Sequence, residues 1–253
     1  RKKVLELVFK AGTSHIGSNF SCIDILTVLF EKADPKKDEV VLSAGWKAAT
    51  AYYFLSKKGI LNWEEVFNTF PNYPYLGLLE PHVPGVVTAG GSVAHGLNVA
   101  CGMALARKLE GKPGTIYVIM SDGELNEGST WEAAIFAAHQ RLDNLVALVD
   151  KNGWQAMGRT SEISISAFPG WVTHDKIPGW YGRGCDGHNY ELMAHFIFNE
   201  PKRLREAGLP PQPIYFMLET VKGKGVSFME DHLLFHYKHI DDEELKKALA
   251  ELS

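Results

Sequence analysis

Two short apolar runs in this chain each end on residues able to hold a cation. Residues 116–120 run into Asp122-Gly123, and residues 145–149 run into Asp150, Lys151, Asn152 and Gly153. Apolar runs of this length, closed by turn residues, suit strands buried on both faces. Each strand then delivers an oxygen-bearing side chain at its exit. The Asp122 carboxylate, the Asn152 amide oxygen and a backbone carbonyl near Trp154 are hard ligands, and Mg2+ would need phosphate oxygens and water to complete its octahedron around them. The pattern points to a metal held together with a diphosphate. Taken alone, an Asp-Gly pair after a strand is an ordinary turn.

The elements that must position these groups form a βαβ unit. Between the two runs, Ser129 with Glu132 three residues on reads as a capping box, and Trp131, Ala134, Ile135 and Ala138 recur at helical spacing. In a parallel sheet both strand exits open on one crevice, so Asp122 and Asn152 can converge. Elsewhere the sequence predicts helices over 3–11, from Ser21 with Asp24 as its start, from about 44 onward, over 62–70, from Gly90-Gly91 into a small-residue stretch, from Asp186-Gly187-His188-Asn189, and over 242–252. Strands are predicted at 40–42 and 214–221, and Pro71, Pro74, Pro81 and Pro84 mark a long irregular loop. Residues 161–180 read as a variable loop. The fold class is α/β, a parallel sheet flanked by helices, in a single domain over residues 1–253.

Composition bounds the function. A chain of 253 residues, 45% hydrophobic and 22% charged, can bury a full α/β core. Its formal net charge of −4 gives no footprint for nucleic acid or an anionic membrane, and no apolar run is long enough to span one. Cys22, Cys101 and Cys185 are scattered and odd in number, which suits reduced thiols. With no recognisable signal peptide, a cytoplasmic location is expected.

The stretch SDGELNEGSTWEAAIFAAHQRLDNL resembles the transketolase family, whose thiamine diphosphate motif is a Gly-Asp-Gly followed some thirty residues later by Asn; Ser121 stands for the first Gly. That resemblance implies a thiamine diphosphate-binding fold, with Asp122, Asn152 and the Trp154 carbonyl as ligands of Mg2+ (or Ca2+), and with Gly123 and Glu124 at the cofactor. Ser14-His15 with Gly17 resembles the family's opening Ser-Gly-His-Pro-Gly and implies a catalytic His15. GGSVAHGL resembles Thr-Gly-Ser-Leu-Gly-His-Gly-Leu and implies that Gly91, Ser92 and Val93 face the cofactor, with Ala94 in place of a Gly. KGKGVSFMEDHLLFH is similar to the segment after the family's last core strand and implies that His236 lies beside the diphosphate and the reacting carbon. Glu127 matches the acid that meets its counterpart across a subunit interface.

The departures are as specific. SAGWKAA resembles the family's Ser-Lys-Gly-His-Ala-Ala but places Trp46 at the His, and two readings stay open: Trp46 only packs, or the neighbouring Lys47 supplies the displaced cation to the phosphate. Leu78 follows Gly77 where the family has a His. Transketolases also carry a pyrimidine-binding domain and a C-terminal domain, neither of which matches here. The resemblance therefore implies the N-terminal subunit of a split transketolase, in sugar metabolism of the pentose phosphate type. It would act on sugar phosphates with a C-terminal transketolase subunit, as a homodimer within a heterotetramer. Exposed apolar walls are expected around Trp131, Phe136 and residues 95–105. Two alternatives remain: a decarboxylating thiamine diphosphate enzyme subunit, of the deoxyxylulose-phosphate synthase or 2-oxoacid dehydrogenase type, and a non-catalytic transketolase-like protein.

Overall fold

A computed structural model describes residues 1–163 and 177–253. Its centre is a five-stranded sheet of order β1-β2-β3-β5-β4, every neighbouring pair parallel. The strands are β1 (Glu39–Leu42), β2 (Ile116–Ser121), β3 (Leu145–Lys151), β4 (Tyr181–Asp186) and β5 (Ile214–Glu219). Because successive side chains leave a strand on opposite faces, the apolar runs of β2, β3 and β5 serve two cores at once. Tyr117, Ile119, Val146, Leu148, Phe216 and Leu218 share one core with helices that include α1 (Lys2–Ala11), α2 (Ile16–Lys32) and α3 (Ala48–Lys57). Val118, Met120, Ala147, Val149 and Met217 share the other with α5 (His95–Leu109) and α6 (Gly128–His139). The remaining helices are α4 (Trp63–Thr69), the short α7 (Thr160–Ile163), α8 (Tyr190–Glu206) and α9 (Asp242–Glu251).

The fold agrees with the expected α/β class, and several local expectations are corrected. α6 begins at Gly128, with Glu127 as its N-cap and no side-chain cap, so Ser129 and Glu132 lie inside it. The capping box belongs instead to Ser121 and Glu124, on the 3-10 turn Asp122–Asn126 that follows β2. α2 starts at Ile16, five residues before Ser21, because Ser21 and Asp24 turn to interior partners: Ser21 to Asp150, and Asp24 to Arg1 and His188. Trp131 is buried and donates its Nε1–H to the Leu125 carbonyl at 2.9 Å, so it is no part of an exposed wall. β4 has no counterpart among the expected strands because it is a half-buried edge strand of sequence YGRGCD, without an apolar pattern. The predicted loop at 161–180 falls mostly on residues outside those described.

Glycine brings one crevice loop onto the sheet. A Cβ on Gly45 would stand 2.1 Å from the Gly90 Cα, and a Cβ on Gly96 would stand 2.5 Å from the Ser43 Cα. These are backbone approaches that no rotamer change can relieve. Gly45→Ala is expected to cost about 1–3 kcal/mol in urea unfolding, as overpacked interiors do. An unchanged midpoint would show that the loop around Gly90 yields freely.

Candidate active site

The exits of the strands open on a crevice of about 310 Å³ whose lining includes His15, Ser18, Trp46, Lys47, Asn152 and His236. Between Ser121 and Gly123, which line it, Asp122 is buried. Its Oδ2 accepts the Gly153 N–H at 2.8 Å and the Thr160 hydroxyl at 3.1 Å, while Oδ1 accepts the Gly123 N–H at 3.0 Å. The Gly153 bond ties the exit of β2 to the exit of β3, and so brings together the residues that the thirty-residue spacing separates. Asn152 is also buried, and its Oδ1 accepts the Trp154 N–H at 3.0 Å. Thr160 N–H donates to the Gly153 carbonyl, and Trp154 Nε1–H and the Arg159 guanidinium both bind Asp231. The loop that carries the Trp154 carbonyl is thereby fixed at both ends.

Burial, and then the charge of nearby Asp150, push the Asp122 carboxyl up to about 6, against the donors around it. A buried acid of this kind gains from a nearby cation. Among the described residues no three His, Cys, Asp or Glu side chains form a metal cluster, so a cation at Asp122 and Asn152 needs further oxygens from a ligand. The donors for such a ligand are present. Gln155, which lines the crevice, has a buried Nε2 with no hydrogen-bond partner among the described residues. Lys222 is fully buried close by, and burial lowers its ammonium to about 8 despite Asp122 and Asp150. An unsatisfied amide donor on the crevice, with a cation and hard oxygen ligands close by, fits a metal–diphosphate unit.

The two predicted histidines meet. The rings of His15 and His236 lie edge to face with centroids 4.9 Å apart, and the His15 backbone N–H donates to the His236 backbone carbonyl at 3.0 Å. Lys222 Nζ stands 2.7 Å from His236 Nδ1; an ammonium can only donate, so Nδ1 accepts and Nε2 carries the proton. Burial and the Lys222 charge hold His15 at about 4. Burial, Lys222 and His15 hold His236 at about 3. Both rings are neutral near pH 7.

Of the other expected residues, Glu127 and Val93 line the crevice, Gly123 faces the Gln155 side chain, and Gly91 and Ser92 are exposed in the loop before α5. Glu124 is fully buried, and its carboxylate accepts from the Ser43 hydroxyl and, at 2.6 Å, from the Ser121 N–H. That is a framework role. Lys47 lines the crevice, but its ammonium is paired with Asp150 and both side chains are fully buried. Burial alone would lower the Lys47 ammonium; Asp150 outweighs it and the pKa is raised. Trp46 lines the crevice, while Leu78 is 40% exposed. Sequence reading missed Asp150, Ser21 and Lys222. The available signals were a carboxylate two residues before Asn152 and a lysine three residues after the end of β5.

The fold and the crevice define an α/β domain of the class that takes its ligands at the carboxyl ends of its strands. Residues 1–252 match the family model described as transketolase, thiamine diphosphate binding domain, and the chain belongs to that family. The chain is 36% identical to the 6-deoxy-6-sulfo-D-fructose transketolase subunit SqwG of a Clostridium species, over 100% of this chain and 93% of that protein. It is 32% identical to an apulose-4-phosphate transketolase subunit of Phocaeicola vulgatus, over 100% and 91%. The crystal structure of Campylobacter jejuni transketolase superposes with a TM-score of 0.81 at 26% identity; 99% of this chain spans 41% of that one.

Two expectations follow from the charges. Lys47→Ala leaves Asp150 buried and unpaired, so it should destabilise the fold by about 3–5 kcal/mol; a fully stable variant with a selective loss of diphosphate affinity would restore Lys47 to the phosphate. The histidines bear on acid stability. Their folded pKa values lie below the unfolded value of about 6.5, so stability is full above it and falls as pH drops toward the folded values. His236→Gln, which cannot gain that proton, should lose less stability than wild type between pH 7.5 and 5, read by urea unfolding. Parallel losses would show that the ring is protonated at no cost.

Proposed function

We propose that this chain is the N-terminal subunit of a split transketolase, which moves a two-carbon ketol unit from a phosphorylated ketose to an aldose together with a separate C-terminal subunit. The observation that supports the reading most is the Asp122–Gly153 hydrogen bond, which ties Asp122 to the loop beside Asn152, a residue that lines the same crevice as His15 and His236. Two relatives of nearly the same length support the split, since each is named as one subunit of an enzyme. Their names specify a sulfonated sugar and a sugar phosphate, two substrates with an anionic group.

When bound, thiamine diphosphate supplies a nucleophilic carbon able to carry a ketol unit. Asp122, Asn152 and the Trp154 carbonyl would hold Mg2+ or Ca2+ with the diphosphate, and Gly91, Ser92 and Val93 would stand beside the rest of the cofactor. Lys222 adds positive charge behind them. His15 and His236, neutral and in contact, would pass protons to and from the sugar oxygens. Glu127, at the crevice rim, would meet an acid of the partner, and the pyrimidine-binding and C-terminal domains would lie on that separate chain.

The α5–α6 face supports association. Val99, Ile135 and Phe136 are 36%, 59% and 39% exposed, and Gly102 has open space above it. Such a face suits pairing with a second copy and, with two partner chains, a cytoplasmic heterotetramer. Among the described residues no helix is long and apolar enough to cross a membrane.

The test is reconstitution. Mixing the chain with the C-terminal subunit, thiamine diphosphate and Mg2+ should give ketol transfer from a sugar phosphate that neither chain performs alone, and Asp122→Ala should abolish it while staying folded. Turnover by a lone monomer, or full activity of the variant, would overturn the reading.

A further inference from the structure

Behind the two metal-ligand candidates lies a network that leaves one of them a single orientation. Asp150, at the end of β3, is fully buried, and its carboxylate accepts from the Lys47 ammonium, the Thr220 hydroxyl and, at 2.6 Å, the Ser21 hydroxyl. Ser21 is fully buried on α2, and its Oγ also lies 3.0 Å from the Ser18 carbonyl. Both of these neighbours are acceptors, and a hydroxyl has one proton. What Ser21 turns toward Asn152 is therefore a lone pair.

Asn152 Nδ2 faces that lone pair at 3.4 Å, while Oδ1 faces the Trp154 N–H. Rotating the amide by half a turn would set Oδ1 against the lone pairs of Ser21 and Nδ2 against an N–H. Two like-sign contacts would replace two favourable ones. The orientation thus depends less on the strength of the long Nδ2–Oγ contact than on the repulsion that a flip would create. With Nδ2 held at Ser21, the amide oxygen stays turned to the Trp154 N–H, in the segment that lines the crevice.

We propose that Ser21, polarised by Asp150, is the positioning residue that makes Asn152 present its oxygen rather than its nitrogen to the cation. The inference rests on the proposed cofactor reading, because it gives Ser21 its purpose only if Asn152 binds metal. Lys47 then acts at one remove, by keeping Asp150 a paired carboxylate at the head of the chain of bonds.

The test titrates Mn2+, as a stand-in for Mg2+, into the chain with saturating thiamine diphosphate, by calorimetry. Ser21→Ala should weaken Mn2+ about 10- to 100-fold, the usual effect of losing a partner behind a metal ligand. Near-ultraviolet circular dichroism should stay unchanged. Ser21→Cys, with a weak donor and acceptor, should fall between the two. In the Asn152→Asp background, where an oxygen faces the cation either way, Ser21→Ala should have little further effect. An unchanged affinity in Ser21→Ala, or the same loss in the Asn152→Asp background, would overturn the positioning role while leaving the cofactor reading intact. Wild type that binds no Mn2+ with thiamine diphosphate would overturn that reading and this inference with it.

Discussion

Two carboxylates buried near each other at neighbouring strand exits set the terms for the rest of the site. Asp122 and Asp150 are 3% and 0% exposed, so water cannot screen either, and every group that approaches them must donate. Asp150 is fully matched: an ammonium and two hydroxyls reach it from three different elements. Among the described residues Asp122 receives two N–H groups and a hydroxyl, and burial with the Asp150 charge raises its pKa in spite of them. The fold thus pairs one acid with a buried ammonium and leaves the other with neutral donors. An Asp122 as well paired as Asp150 would gain far less from a metal.

How far the sequence discloses this depends on the range of each interaction. β2, β3, β5 and the positions of Asp122 and Asn152 are readable, because apolar runs and turn residues are local signals. The meeting of His15 with His236 is indicated only by resemblance, since it joins segments 221 residues apart. Asp150, Ser21 and Lys222 are hidden for the same reason. A serine on α2 beside an aspartate reads as a helix start until tertiary structure shows its hydroxyl on β3, 129 residues away. The capping box is displaced by a short stretch of chain: Ser129-Glu132 has the right spacing, but Ser121-Glu124 has the free backbone donors. β4 gives no pattern because an edge strand with Gly182 against the Tyr215 ring buries little of its own.

Lys47 shows how burial changes the meaning of a motif position. In sequence it is a cation one residue from an expected phosphate contact. In the structure a free ammonium at that depth would be costly, and Asp150 stands within reach, so the ion pair forms inside the scaffold. The pair contributes no net charge to the crevice. Lys222, with no carboxylate hydrogen-bonded to it among the described contacts, has its pKa lowered by burial and stands against His236 instead.

A chain of net charge −4 must therefore attract a diphosphate by local means. Helix ends at the crevice would supply them. α2 reaches it through Ser18 in its first turn, and α5 begins beside Val93, so both positive ends lie at the lining. Each helix starts abruptly, from an N-cap in the left-handed region: His15 at φ 70° and Ala94 at φ 69°. That conformation costs a residue with a Cβ about 1–2 kcal/mol, and glycine would avoid it. At His15 the strain is held by bonds to both sides, its N–H to His236 and its carbonyl to the Asn19 N–H and side chain. The same backbone turn that aims the α2 N-terminus at the crevice sets the His15 ring against His236, so the strain, the anion-attracting helix end and the paired imidazoles arise from one residue's conformation.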